Sequence, residues 1–175
     1  MRSPLDVNRL QAVLEALGRR VRSDGGVYLT GGATALLRGW RASTVDLDLR
    51  LDPEPAGAFE AIAAIKDELD ANIELASPPD FIPELPGWRD RSPWVGRFGR
   101  IDVYHYDLYA QALSKIERGH DRDLLDVGAM VQSGDVVIAR LQALFEAIQP
   151  GLIRYPGIDA PTFRAKVAEA CDELG

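Results

Sequence analysis

Two aspartates, Asp46 and Asp48, alternate with apolar residues in segment 43–51. This period-2 pattern predicts a half-buried strand whose two carboxylates project from the same face. Adjacent carboxylates repel one another, and Mg²⁺ compensates such a pair well because it prefers oxygen ligands and accepts phosphates as further ligands. The pair therefore indicates metal-assisted chemistry on a phosphate compound. The alternative interpretation is that both carboxylates are simply solvated on a water-facing strand.

A glycine pair, Gly31 and Gly32, lies between a short β-rich run at 27–30 and a helix-forming run at 33–37. Backbone N–H groups at a helix start bind anions, and glycine lets the backbone approach a phosphate without a Cβ in the way. The Thr34 hydroxyl adds a donor there. Two glycines alone more often mark a tight turn. Together with the aspartate pair they indicate a phosphate cradle beside a metal site.

The order of these features resembles the signature of the nucleotidyltransferase fold, the DNA polymerase β-like superfamily. The wider stretch GGATALLRGWRASTVDLDL is similar to bacterial AbiEii-type toxin and abortive-infection nucleotidyltransferases, in which an Arg and a Ser or Thr precede Asp-x-Asp. Here Arg41 and Thr44 match that pattern. Within 27–51, we accordingly expect the nucleotide to contact Gly31, Gly32, Thr34, Arg41 and Thr44.

The resemblance also implies a third carboxylate on a later strand, for which Asp102 in Arg-Ile-Asp-Val-Tyr is the candidate. In the two-metal scheme, Asp46 and Asp48 hold Mg²⁺ or Mn²⁺ on the triphosphate, and Asp102 helps to bind the second ion and to activate an acceptor hydroxyl. In-line attack on the α-phosphorus of the NTP then releases pyrophosphate. A solvated strand carboxylate is the alternative for Asp102.

A later stretch, ALSKIERGHDRDLLDV, resembles the helix pair that follows the third strand in this branch. The resemblance implies that Lys115 binds a phosphate as a point charge, the alternative being a solvated surface lysine. Lys115 and Arg118 are three positions apart on the first helix, and Asp123 and Asp126 are three apart on the second. We favour a salt-bridge network between the helices for these charged residues.

Periodicity and turn signals predict the elements that position these residues. Residues 5–20 and 56–71 predict helices, residues 72–76 a strand, and residues 94–98 and 100–106 a hairpin turned at Gly99. A proline-rich stretch, 77–90, is interpreted as a packed loop and not as a domain boundary. Beyond residue 107 the predicted helices are 108–118, 121–132, 135–148 and 162–174.

The predicted fold is α+β, a nucleotidyltransferase-like small mixed sheet with flanking helices and a C-terminal helical cluster. A length of 175 residues suits a single domain, 1–175, with an α/β core at 1–106 and a helical part at 107–175. One cysteine excludes a disulfide within the chain, and the lack of a long apolar run predicts a soluble, cytoplasmic protein with no membrane partner.

The expected function is that of an enzyme that transfers a nucleoside monophosphate from an NTP to a hydroxyl of a tRNA end, a protein or a small molecule. The resemblance further implies a toxin with a cognate antitoxin protein. A net charge of −7 argues against a protein that coats nucleic acid, although several arginines, among them Arg41, favour an RNA acceptor if they gather near the site. The alternatives are a non-catalytic nucleotide-binding or partner-binding module and a purely structural domain.

Overall fold

The computed structural model describes residues 2–175, which form two compact units. The first unit comprises residues 2–77 together with Ser92–Tyr106, and the second comprises Pro78–Arg91 together with Asp107–Gly175. The predicted division at 106 and 107 therefore coincides with one passage of the chain between the units. The proline-rich stretch, in contrast, belongs with the helices of the second unit.

The first unit is built on a mixed five-stranded sheet. Its elements are, in chain order, α1 (Val7–Arg20), β1 (Gly25–Thr30), α2 (Gly32–Leu37), β2 (Asp46–Leu51), α3 (Ala58–Glu68), β3 (Asn72–Leu75), β4 (Trp94–Phe98) and β5 (Ile101–His105). The strand order is β3-β2-β1-β5-β4. Strand β1 is antiparallel to β2 and parallel to β5, β3 is parallel to β2, and β4 is antiparallel to β5.

The apolar core of this unit lies on one face of the sheet. Leu47 and Leu49 of β2 are buried there with the apolar residues of α1 and α3, whereas Asp46 is exposed and Asp48 is half-buried on the other face. Full burial of one such leucine stabilises the fold by about 1.5–3 kcal/mol. The alternation predicted for β2 is confirmed, and it fixes which face of the sheet carries the carboxylates.

The second unit is mainly helical. It contains α4 (Leu108–Arg118), α5 (Asp121–Gln132), α6 (Ile138–Ile148) and α7 (Ala160–Leu174), with 3₁₀ helices at Pro78–Asp80 and Gln149–Arg154. Gly119 ends α4 in the left-handed conformation, which glycine adopts without a Cβ penalty. Asp121 and Asp135, whose side chains suit a helix cap, do not occupy the N-cap positions of α5 and α6. Those positions belong to His120 and Val137, and neither side chain makes a capping hydrogen bond.

One fully buried carboxylate organises the start of α4. Asp107 Oδ1 accepts a hydrogen bond from the Tyr109 N–H at 3.1 Å, and Asp107 Oδ2 accepts hydrogen bonds from Arg91 Nη2 at 2.6 Å and Nε at 3.1 Å. The Asp107 side chain thus both caps α4 and forms an ion pair with Arg91.

Across residues 2–175, no helix combines the length and the apolarity needed to cross a bilayer.

Candidate functional site

The glycine turn and the aspartate pair meet at one end of the sheet. Antiparallel pairing of β1 with β2 sets Thr30 opposite Asp48, so Gly31, the next residue, lies beside that carboxylate. Gly31 has φ +60° and ψ −128°, a conformation open to glycine. A Cβ built on Gly31 would lie 3.5 Å from Asp48 Oδ2. The structure therefore brings the two predicted motifs together.

Thr44 explains why residue 32 is a glycine. A Cβ at Gly32 would lie 2.0 Å from Thr44 Oγ1 and 2.8 Å from Thr44 Cβ, so any larger residue would force Thr44 or the α2 backbone to move. Thr44 itself is buried, its backbone pairs with Leu5, and its hydroxyl donates to the Asp46 carbonyl oxygen at 3.0 Å. Thr44 therefore positions the backbone of Asp46. Its hydroxyl, for which we expected a nucleotide contact, is hydrogen-bonded within the protein.

Of the two other nucleotide contacts predicted within 27–51, Thr34 and Arg41, only Arg41 is near the surface. Thr34 is fully buried, and its hydroxyl donates to the Leu29 carbonyl oxygen at 3.2 Å and lies 3.0 Å from His105 Nδ1. The expected donor to a phosphate therefore points into the interior, because Thr34 lies on the side of α2 that packs on the sheet. Arg41 is partly exposed and follows α2, where its N–H donates to the Ala35 carbonyl oxygen at 3.3 Å.

The structure does not bring Asp102 to the aspartate pair. Because β5 runs parallel to β1, Asp102 pairs with Gly26, four residues before the Thr30 that faces Asp48. At about 3.3 Å per residue, this places Asp102 about 13 Å away along the strands, at the other end of the sheet. There its carboxylate lies 3.0 Å from Arg97 Nη1. A third carboxylate at the predicted site has to come from elsewhere.

Glu74 is a carboxylate beside the pair that the sequence interpretation missed. Strand β3 runs alongside β2 and sets Asn72 opposite Asp46 and Glu74 opposite Asp48, so these side chains share one face. The Asn72 amide donates to Asp46 Oδ1 and, at 3.3 Å, to Glu74 Oε1. The alternation of polar and apolar residues in Asn-Ile-Glu-Leu was the available signal.

These three carboxylates are neighbours on adjacent strands and do not form a closed ligand set. Within the described part of the chain, 2–175, no group of three or more His, Cys, Asp or Glu side chains is arranged to hold a metal ion. The site consists instead of an exposed Asp46 and a half-buried Asp48. Glu74 lies opposite Asp48, and the Gly31 turn also lies beside Asp48.

Lys115 lies in the second unit, inside the predicted salt-bridge network. Its Nζ lies 2.9 Å from Asp126 Oδ2 and 3.5 Å from Asp123 Oδ1, and Arg118 Nη2 lies 2.6 Å from Asp123 Oδ1. Lys115, Asp123 and Asp126 are all buried. Burial raises the pKa of Asp123, but the Arg118 hydrogen bond and the charges of Lys115 and Arg118 outweigh it, so this pKa lies below its ordinary value. The network is confirmed, and Lys115 is not a solvated surface lysine.

Comparison of the chain with protein-family models, with curated proteins and with solved structures finds no match. The chemistry of the site itself therefore has to indicate the function. What it offers is a set of carboxylate oxygens, from Asp46, Asp48 and Glu74, at the point where the Gly31 turn leaves the sheet.

Proposed function

We propose that this chain is a divalent-metal-dependent nucleotidyltransferase with a nucleotidyltransferase-like fold, which transfers a nucleoside monophosphate from an NTP to a hydroxyl group. The observation that supports this proposal is the position of the Gly31 turn beside the Asp48 carboxylate, where a Cβ on Gly31 would lie 3.5 Å from Asp48 Oδ2. The two are distant in sequence, and the pairing of β1 with β2 places them side by side. A side-chain-free turn next to exposed carboxylates suits a triphosphate that carries a cation.

The residues present fit a hard divalent cation. Asp46, Asp48 and Glu74 offer carboxylate oxygens, which Mg²⁺ and Mn²⁺ prefer, and all three are accessible to solvent. Mg²⁺ commonly uses one or two carboxylates with waters and substrate phosphates, so a closed set of three protein ligands is not required. When bound, such an ion neutralises the charge of the triphosphate and activates the attacking hydroxyl.

The chain's own residues would orient the triphosphate and take up a proton. The acceptor oxygen forms a bond to the α-phosphorus, the bond from that phosphorus to the bridging oxygen breaks, and pyrophosphate leaves with the electron pair. Asp46 and Asp48 would hold the cation on the triphosphate, and Asn72 and Thr44 fix the side chain and the backbone of Asp46. We assign the acceptance of the hydroxyl proton to Glu74, because it lies opposite Asp48.

A non-catalytic nucleotide-binding module is the second candidate function. The separation of Asp102 from the pair favours it, since the third carboxylate of the two-metal scheme lies elsewhere and, within residues 2–175, no three His, Cys, Asp or Glu side chains are arranged to hold a metal ion. Such a module would still bind an NTP with its cation at Asp46 and Asp48 but would transfer nothing.

Label transfer distinguishes the two candidates. The protein is incubated with Mg²⁺ and each α-³²P-labelled NTP, with total RNA, protein extract or a small-molecule fraction as acceptor. We expect transfer by the wild type, none by Asp46→Asn with Asp48→Asn, and nearly normal transfer by the matched control Asp102→Asn, which lies on the same face at the other end of the sheet. The fraction that becomes labelled identifies the acceptor class.

If the wild type transfers no label, NTP binding decides between the non-catalytic module and neither candidate. If the wild type binds NTP but transfers nothing, and the Asp46→Asn, Asp48→Asn variant no longer binds NTP, the chain is the non-catalytic module. NTP binding that this variant leaves unchanged, again without transfer, contradicts both candidates. Loss of transfer in Asp102→Asn at unchanged stability would show that Asp102 takes part in catalysis despite its distance from the pair.

A further inference from the structure

Three threonines around the glycine turn are buried, and the hydroxyl of one of them makes no hydrogen bond to the protein. The hydroxyls of Thr34 and Thr44 each donate to a backbone carbonyl oxygen, at 3.2 Å and 3.0 Å. Thr30 is 7% exposed, and in the described part of the chain no hydrogen bond joins its hydroxyl to a protein group. Because buried polar groups are nearly always hydrogen-bonded, this hydroxyl calls for a partner from outside the chain, either water or a ligand.

The strand pairing places the Thr30 hydroxyl on the face of the sheet that carries the carboxylates. Thr30 is directly opposite Asp48 in the antiparallel pair of β1 and β2. Directly opposite residues project from the same face, with Cβ atoms about 4.5–5.5 Å apart. The preceding residue, Leu29, is buried in the apolar core on the other face, as alternation along a strand requires. Thr30 is also the last residue before the Gly31 turn, so its hydroxyl borders both the turn and Asp48.

The charges around Asp48 decide on which side of it an anion would lie. Glu74 lies opposite Asp48 on β3, so the β3 side carries a second carboxylate that repels an anion. The β1 side offers a neutral donor, Thr30, and the Gly31 turn, which has no side chain. A phosphate oxygen that shares a Mg²⁺ ion with Asp48 lies about 3–4 Å from the carboxylate oxygen, because each Mg²⁺–oxygen bond is about 2.1 Å long. Since neighbouring strands are about 4.8 Å apart, such a phosphate lies within reach of β1.

We propose that the Thr30 hydroxyl binds the triphosphate by donating a hydrogen bond to a non-bridging phosphate oxygen. The inference rests on the proposed function and adds to it a binding residue that lies outside the glycine and aspartate motifs. An ionised phosphate is a strong acceptor, so the hydrogen bond is charge-assisted. It also satisfies a hydroxyl that the folded chain leaves unbonded. The Thr30 hydroxyl therefore contributes to the binding of phosphate and not to the stability of the fold.

Substitutions that change only this hydroxyl test the inference. The probe is inorganic tripolyphosphate with Mg²⁺, titrated calorimetrically into the full chain, because it presents the phosphates without a base or a sugar. Thr30→Val keeps the branched shape and removes the hydroxyl. We expect its Kd to be roughly ten- to a hundred-fold weaker, which corresponds to the loss of one hydrogen bond to a charged group. Thr30→Ser keeps the hydroxyl and should retain most of the affinity.

Two further measurements separate phosphate binding from a structural role and from a role as a metal ligand. Because the Thr30 hydroxyl bonds no protein group, Thr30→Val should unfold at the Tm of the wild type or above it. Thr34→Val is the matched control, since it removes a hydroxyl that is bonded within the protein, and its Tm should fall. Mn²⁺ binding in the absence of phosphate, followed by electron paramagnetic resonance, should be equal in Thr30→Val and the wild type.

Several results would overturn the inference. These are no binding of Mg²⁺–tripolyphosphate by the wild type, an equal Kd for the wild type and Thr30→Val, or weaker Mn²⁺ binding by Thr30→Val, which would make the hydroxyl a cation ligand. A loss of Tm in Thr30→Val as large as that in Thr34→Val would do so too, because the hydroxyl would then be bonded within the protein. Tripolyphosphate binding that depends on Thr30, without label transfer, would refute the proposed transfer alone. Label transfer with an equal Kd would refute the role of Thr30 alone.

Discussion

Replacement of Lys115 by methionine tests whether this lysine has a structural role or a role in nucleotide binding. The ammonium is buried between Asp126 at 2.9 Å and Asp123 at 3.5 Å. Methionine keeps much of the side-chain volume and removes the charge. Asp123 retains the guanidinium of Arg118, at 2.6 Å, but Asp126 loses this cation while it stays buried.

The expected loss of stability is large because a buried carboxylate loses its close countercharge. Removal of one partner of a buried ion pair costs about 3–5 kcal/mol. In a chain of 175 residues, 1 kcal/mol lowers Tm by about 2–4 °C, so the Tm of Lys115→Met should fall by roughly 6–20 °C. Adding Asp126→Leu should restore much of this loss, since apolar replacement of both partners removes the uncompensated charge.

Thermal unfolding followed by circular dichroism measures these differences. Lys66→Met, which removes a partly exposed lysine from α3, is the control for loss of a positive charge and should leave Tm nearly unchanged. A Tm for Lys115→Met within about 2 °C of the wild type would refute the reasoning. If such a stable variant also loses NTP binding, Lys115 binds phosphate, as the resemblance to the AbiEii-type enzymes implied.

Further predictions concern Gly32, Asp107 and Asp123. Gly32→Ala should lower the free energy of unfolding by about 1–3 kcal/mol in urea titrations, because its Cβ would lie 2.0 Å from Thr44 Oγ1. Asp107→Ala should cost about 3–5 kcal/mol in the same assay, since it removes the cap of α4 and leaves Arg91 without this carboxylate; Asp107→Asn, which can still cap, should cost less. The pKa of Asp123 is lowered in the folded state, so its contribution to stability is complete above the unfolded value of about 3.9 and is lost as pH falls through the folded value. The wild type should therefore lose more stability between pH 5 and pH 3 than Asp123→Asn does. Equal losses would show that the ion pairs of Asp123 do not form in solution.

Features set by neighbouring residues could be predicted from the sequence. The alternation of β2 fixed the faces of Asp46 and Leu47, and the left-handed Gly99 joins the predicted hairpin. The spacing of charges on α4 and α5 indicated the network around Lys115. Each of these depends on a period of 2 or 3.6 residues or on one turn, so local information was sufficient.

Features set by the pairing of distant strands could not be predicted. Alternation gives the face of the sheet on which Asp102 lies. Only the register of the parallel pair β1 and β5 determines its position along the strands. Glu74 could not be predicted either, because its position opposite Asp48 depends on the pairing of β3 with β2. Thr34 was misplaced because α2 has six residues, too few for periodicity to show its inner side.

The chain passes between the two units three times, after residues 77, 91 and 106, and this has a consequence for synthesis on the ribosome. Strand β1, all six of whose residues are buried in the finished fold, receives its second neighbour only when β5 has emerged. Until then a nascent chain that ends near residue 77 presents β1 as an unpaired edge, a form prone to associate with other strands. No single cut separates the units, so a fragment that stops before β5 should accumulate as aggregate.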